Sequence, residues 1–372
     1  MKRTYTILDI AQQAGVSHGT VSRVLNNRNI RCRPETRKRI LRIAQELNYQ
    51  PNASAQSLKT QTYHTIGFLA YDITDMFVVD CIGAIEETLV NTAYRALWLS
   101  ARLHASEKQS DLLKKLRSLP IDGLIVLESD QLISDVELLT LHARDQMRVS
   151  TLIRKLQGGH LSSVTLDNAL GIQLLVEHLV GLGHREIGFL HDAKARAGAT
   201  VRFETFKKLL QEKKLPLREE CWQPTGGTVE EGFRAAKKLL ACASHPTAII
   251  AFNDLAAFGC IRACKEQKIA VPERMSVAGF DDIRMSGHYN PSLTTIWSDY
   301  PALAKSAVNQ MISMIEGRWE LFKAEHVVVK PSLVARESTA PPPPGGPDSR
   351  PVQSRASGLA DLLPISLASE AA

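Results

Sequence analysis

Across residues 61–338 the chain repeats one pattern, and that pattern leaves few folds open. Short apolar, β-branched runs lie at 65–70, 96–99, 123–127, 187–190, 248–252 and 276–280. Helix-like stretches lie between them, at 79–93, 106–119, 170–182, 202–214, 229–240 and 255–267. Strands that alternate with helices imply parallel sheets covered by helices on both faces. The zone is long for one such unit, so two α/β subdomains are expected. In open parallel sheets ligands sit at the carboxyl ends of the strands, and two units facing each other make a cleft.

The ends of the chain differ from this middle. Residues 1–49 read as short helices and 50–60 as a polar linker. Residues 339–372 open with Pro341-Pro342-Pro343-Pro344-Gly345-Gly346 and are expected to be a disordered tail. Net charge separates the zones further. The whole chain carries +6, yet residues 1–60 hold eleven Lys/Arg against three Asp/Glu, and the remainder is slightly acidic. A compact basic module on a near-neutral body is the footprint of a polyanion partner.

Other classes find little support. No apolar run nears the ~20 residues that span a bilayer, and Asp9 interrupts the early Ile7–Ile10 stretch, unlike a secretory signal. A cytoplasmic location without a membrane partner is expected. The six cysteines form no CxxC pair and no zinc spacing, so neither metal nor cofactor is expected. Cys260 and Cys264 read as packing thiols. Gly-x-Gly-x-x-Gly does not follow the 65–70 run, and Gly-x-Ser-x-Gly is absent, which speaks against an enzyme.

In the basic module, Thr6 followed three residues later by Asp9 is a helix-start signature. Ile7, Ile10, Ala11 and Ala14 recur at helical spacing. Gly15 supplies the left-handed conformation that ends the first helix, and Ser17 can cap the second. There Val21, Val24 and Leu25 face inward, leaving His18, Gly19, Ser22 and Arg23 outward. Two short helices joined by a Gly-containing turn, the second with a polar outer face, describe a DNA-reading helix-turn-helix. A third helix begins at Pro34, which suits the first helical position. Its buried stripe is Ile40, Ile43, Ala44 and Leu47, and Arg37, Lys38, Arg39 and Arg42 occupy the rest.

The runs Ile7-Leu8-Asp9-Ile10-Ala11-Gln12-Gln13-Ala14-Gly15-Val16-Ser17, Thr20-Val21-Ser22-Arg23-Val24-Leu25-Asn26, Pro34-Glu35-Thr36-Arg37 and Asn48-Tyr49-Gln50-Pro51-Asn52 together resemble the LacI/GalR repressor family. The resemblance continues from Ile66-Gly67 to Arg336-Glu337-Ser338. It implies an all-α helix-turn-helix DNA-binding domain (1–49), a hinge helix (50–60) and an α/β periplasmic-binding-protein-like core of two parallel-sheet subdomains (61–338). It also implies a homodimer on double-stranded DNA, at a pseudo-palindromic operator. The DNA-contacting positions carried over are Thr6, Ser17, His18, Gly19, Thr20, Ser22, Arg23, Asn27, Asn52, Ala55 and Leu58. Arg23 can donate two hydrogen bonds to guanine. Thr20 and Ser22 suit phosphates. Leu58 matches the leucine that the family wedges into the minor groove. Gly19 departs from the family, which carries a side chain there.

For the core, the resemblance implies a small polar effector, a sugar or derivative. The positions carried over are Asp72, Phe77, Arg154, Arg202, Phe252, Asn253 and Asp281. Carboxylate, guanidinium and amide groups make paired hydrogen bonds to adjacent hydroxyls, and leaving them unpaired is costly enough to enforce specificity. Asp72 and Asp254 equally suit helix capping, and Gly183-His184 reads as a helix-ending turn. Ile153 replaces the polar residue that usually precedes Arg154. That loss of a polar group leaves open a core that only dimerises and binds no effector.

Overall fold

The computed structural model describes residues 5–25, 32–49, 62–100, 109–127, 133–242, 246–318 and 323–344. Asn27, Asn52, Ala55 and Leu58, with the proposed hinge helix, lie outside them.

Three helices open the chain: α1 (Ile7–Ala14), α2 (His18–Leu25) and α3 (Pro34–Glu46). Asp9 accepts from both the Thr6 amide and the Thr6 hydroxyl at 2.7 Å, which ties down the start of α1. Gly15 ends it at φ 59°. The Ser17 Oγ accepts from the Thr20 amide at 3.2 Å and so caps α2. Ile10, Ala14, Val21, Val24, Ile40 and Ile43 then form a separate small core.

The rest is two α/β lobes. The first holds β1 (Thr65–Ala70), β2 (Arg95–Ser100), β3 (Gly123–Leu127), β4 (Arg148–Leu152), β5 (Ser162–Leu166) and β11 (His326–Val329), in the spatial order β11-β5-β4-β3-β1-β2. The second holds β6 (Ile187–Asp192), β7 (Trp222–Thr225), β8 (Ala248–Ala251) and β9 (Ser276–Ala278), in the order β7-β6-β8-β9. Every pair in both sheets is parallel. All six residues of β1 and all four of β8 are buried, as strands covered on both faces must be. A short antiparallel pair, β10 (Thr295–Trp297) and β12 (Ser332–Val334), lies beside the second lobe.

The helices are α4 (Met76–Leu89), α5 (Gln109–Ser118) and α6 (Asp135–Ala143) in the first lobe, and α7 (Asn168–Gly181), α8 (Ala197–Glu212), α9 (Val229–Leu240) and α10 (Asp254–Glu266) in the second. Helix α11 (Tyr300–Ile315) returns to pack on α4 and β4. The chain therefore passes between lobes three times, after β5, before α11 and after β11.

Helix α4, read from sequence at 79–93, is displaced three to four residues toward the N-terminus, and two other boundaries differ for identifiable reasons. Helix α8 starts five residues before Arg202, because its first turn, Ala197-Gly198-Ala199, carries almost no hydrophobic signal. The tail expected from 339 does not begin there. Thr339 Oγ1 is 2.9 Å from His178 Nε2, and the Ala340 amide donates to Ser276 Oγ at 3.0 Å. His184, 1 % exposed, lies against Thr247, Ser276 and the Ala340 carbonyl. Buried polar groups need such partners, so residues 339 and 340 belong to the core. The Gly183 turn is as expected, at φ 104°.

Helices α9 and α10 meet backbone to backbone. A Cβ at Gly259 would lie 2.2 Å from the Val229 carbonyl oxygen and 2.4 Å from the Phe233 nitrogen. Gly259→Ala must push the helices apart, at a cost of about 1–3 kcal/mol. Thermal unfolding should show a Tm lowered by several degrees, and an unchanged Tm would contradict this packing.

Candidate nucleic-acid interface and effector cleft

On α2, residues 18, 19, 22 and 23 share the face turned away from the small core. His18 and Arg23 are exposed, while Gly19, Thr20 and Ser22 are half-buried. The Arg23 Nε donates to the Gly19 carbonyl at 3.2 Å, which lays the guanidinium along the helix. A Cβ at Gly19 would come within 3.8 Å of the Arg23 terminal nitrogen, ordinary contact, so the glycine is not required by space. Thr6 and Ser17 are exposed at the starts of α1 and α2, where helix dipoles favour phosphate. The structure thus brings Ser17, His18, Gly19, Thr20, Ser22 and Arg23 onto one helix and its entry turn.

The second site lies between the lobes, at the carboxyl ends of their strands, as parallel sheets dictate. Asp75, Phe77 and Val78 follow β1, and Ile153 follows β4. Arg196, Ala199 and Arg202 follow β6, Phe252 and Asn253 follow β8, and Asp281 follows β9. The space among them is about 40 Å³, room for about three waters. A monosaccharide needs more, so ligand entry requires these side chains or the lobes to move.

Arg202 organises the floor. Its Nε donates to Asn168 Oδ1 at 2.7 Å, one terminal nitrogen to the Phe252 carbonyl at 2.5 Å, and the other to Asp281 at 3.4 Å. The guanidinium lies 3.6 Å from the centre of the Phe280 ring. Asp281 sits at φ 115° and Ile153 at φ 73°, both in the left-handed region, which is unfavourable for a β-branched side chain. Tyr300 donates its hydroxyl to the Asp281 carbonyl at 2.9 Å.

Arg196 pairs with Asp192 at 2.9 Å and lies 5.4 Å from the Phe252 ring centre. Burial acts to raise the Asp192 carboxyl, but its hydrogen bonds and charge contact with Arg196 hold it below the usual value. Burial raises the pKa of Asp75, an effect that the Phe77 amide and Arg196 only partly offset.

Five of the seven positions carried over for the effector therefore meet: Phe77, Arg202, Phe252, Asn253 and Asp281. Two do not. Asp72 accepts from the amide and hydroxyl of Thr74 at 2.9 and 2.7 Å and shapes the turn before α4. Arg154 turns to Asp135 at the start of α6. Capping falls elsewhere too. Asp75 caps α4, Asn253 caps α10, and Asp254 does not cap. The Asn253 amide also donates to the Gly227 carbonyl at 3.3 Å, so its side chain is half engaged before any ligand arrives. Asp75 and Arg196 are the charged cleft residues that the sequence reading missed. Their one signal was position, each a few residues past the end of a strand.

Among the described residues no group of His, Cys, Asp and Glu could hold a metal ion, and no helix is long and apolar enough to cross a membrane.

Residues 6–52 match the family described as bacterial regulatory proteins, lacI family, and residues 176–339 match a periplasmic binding protein-like domain. The chain is 31% identical to the HTH-type transcriptional repressor PurR of Haemophilus influenzae over 336 residues, covering 90% of this chain and 98% of that protein. It is 33% identical to the HTH-type transcriptional regulator GalS of Salmonella typhimurium over 337 residues, 90% and 96% of the two chains. The lac repressor dimer bound to operator and the anti-inducer ONPF superposes with a TM-score of 0.79 at 26% identity, covering 91% of this chain and all of that one. The helix-turn-helix, the two-lobed parallel-sheet core and these full-length likenesses agree: the chain belongs to the lacI family of bacterial regulatory proteins, DNA-binding regulators of transcription.

Proposed function

We propose that the chain acts as a homodimer that binds a pseudo-palindromic operator and responds to a small polar effector, a sugar or sugar derivative. The observation that carries the effector reading is the convergence of Asp281, Arg202 and Asn253 with Phe77 and Phe252 in one interlobe cleft. Apolar walls with a few fixed polar groups suit a ring bearing hydroxyls. Each copy places α2 in the major groove of one half-site, with Arg23 and His18 at base edges and Ser17, Thr20 and Ser22 at phosphates. Asn27, Asn52, Ala55 and Leu58 complete the DNA contacts, the last as a wedge between base steps. Effector binding changes the angle between the lobes and hence DNA affinity.

Two measurements test this together. Selection from fragmented genomic DNA at fixed salt should enrich a short inverted repeat. Thermal unfolding in the presence of sugars, sugar phosphates and nucleobases should find a ligand that raises Tm by mass action. Asp281→Asn, which tolerates the positive φ, should abolish that shift and leave operator affinity of the free protein within about twofold, about 0.4 kcal/mol. An unaltered ligand response would remove Asp281 from the site. Enrichment of an operator with no response to any ligand class would favour a core that only dimerises.

A further inference from the structure

Among the described residues, an ion pair outside the cleft lining crosses between the lobes. Asp80 lies on α4 of the first lobe and is 6% exposed. One of its oxygens is 2.8 Å from Arg284 Nε, and the other accepts the Arg284 backbone amide at 3.3 Å. Arg284 belongs to the second lobe, three residues past Asp281. One turn along α4, Gly83 leaves room for the guanidinium, since a Cβ there would lie 3.1 Å from it. A single residue of one lobe thus donates its main-chain amide to a buried carboxylate of the other and sets its guanidinium, 74% exposed, in charge contact with the oxygen that accepts no hydrogen bond.

The segment that carries Arg284 is stiff. The Asp281 amide donates to the Ile296 carbonyl at 2.9 Å. Asp282 pairs with Arg336 at 2.7 Å. The Ile283 amide and the Ser286 hydroxyl both donate to Asp254, at 3.0 and 2.7 Å. A shift of Asp281 therefore moves Arg284 with it rather than being absorbed between them.

We propose that Asp80 and Arg284 form an interlobe latch through which the state of the cleft at Asp281 sets the angle between the lobes. Opening draws Arg284 away and costs Asp80 both its nearby cation and the amide donor that it holds in the closed arrangement, a cost that solvent screening of the exposed guanidinium moderates. The latch favours the closed arrangement, and a ligand that displaces Asp281 loosens it. This regulatory role rests on the effector reading of the cleft, whereas the latch itself does not.

The test is amide hydrogen exchange on the full-length protein, free of ligand and DNA. Arg284→Met keeps the apolar stem, removes the charge and alters an exposed side chain. Asp80→Asn removes the other partner. Each should speed exchange at 76–79 and 197–200 about tenfold while leaving β8 unchanged, as local rather than global opening requires. The double variant should exchange no faster than either single one, and Arg284→Lys should restore part of the protection. Single-variant changes within about twofold, effects that multiply in the double variant, or equal acceleration in β8 would each overturn the latch. A protein that answers to no effector can still pass this test, and one that answers can still fail it, so the two readings fall separately.

Discussion

Arg23→Ala is expected to abolish the preference for operator over random duplex while leaving the protein folded and its non-specific binding nearly intact. A bidentate Arg–guanine contact discriminates by about 1–3 kcal/mol, and a dimer carries two copies, so the loss is about 2–6 kcal/mol. Geometry supports assigning this role to Arg23. Its side chain is exposed on the outer face of α2, and its Nε is spent on the Gly19 carbonyl. That hydrogen bond orients the two terminal nitrogens without using them, so the fork meets a base edge with less entropy to lose. Arg23→Lys separates charge from shape. It keeps the cation, so the salt dependence should persist, but it lacks the planar fork, so discrimination should still fall. The check is a titration of operator and scrambled duplex at matched ionic strength, with circular dichroism as the control for folding. If the alanine variant keeps the wild-type ratio of affinities, Arg23 touches no base.

What the sequence revealed, and what it hid, follows from how local each signal is. The Thr6–Asp9 start, the Gly15 stop and the Pro34 start depend on neighbours within four residues, and all three stand where expected. Helix α9 is bounded as read, at Val229–Leu240, because Thr228 and Glu231 cap it reciprocally and its apolar stripe is strong. The packing-thiol reading of Cys260 and Cys264 also fits, since both are fully buried on α10. Long-range partners were harder to foresee. Asp72 and Asp75 are both acids between β1 and α4. Which of them faces the cleft is decided by the Asp72–Thr74 turn, not by residue type. Arg154 is drawn to Asp135, nineteen residues back, by the docking of α6. The ordering of Thr339 and Ala340 answers the needs of buried His184 and Ser276, which local composition at 339–344 cannot announce.

Asp254 provides the largest expected effect on stability, and the sign changes with the substitution. Its carboxylate is fully buried and accepts from the Ile283 amide at 3.0 Å, Ser286 Oγ at 2.7 Å and Thr295 Oγ1 at 2.5 Å. Among the described residues it pairs with no cation. Burial pushes its pKa up to about 7 against the pull of those hydrogen bonds, and the Asp282 charge adds to the rise. A carboxyl whose folded pKa lies above its unfolded value binds the extra proton in the native state. Its stabilising contribution is therefore complete below the unfolded pKa of 3.8 and is lost as pH rises through about 7. Three units correspond to about 4 kcal/mol. Asp254→Asn cannot titrate, so chemical denaturation should show the variant gaining on the wild type by up to about 4 kcal/mol between pH 4 and pH 8. A stability difference that stays flat across that range would mean that Asp254 is ionised throughout. Asp254→Ala should behave differently. It strands an amide and two hydroxyls in the interior, for a loss of about 3–5 kcal/mol at pH 4, and this loss narrows as pH rises through about 7 because alanine cannot titrate either. It also releases Ile283 and Ser286, which hold the segment running from Asp281 in the cleft to Arg284 at the other lobe. The alanine variant should therefore lose its response to effector at temperatures where it is still folded, because the element that carries the response has lost its anchor.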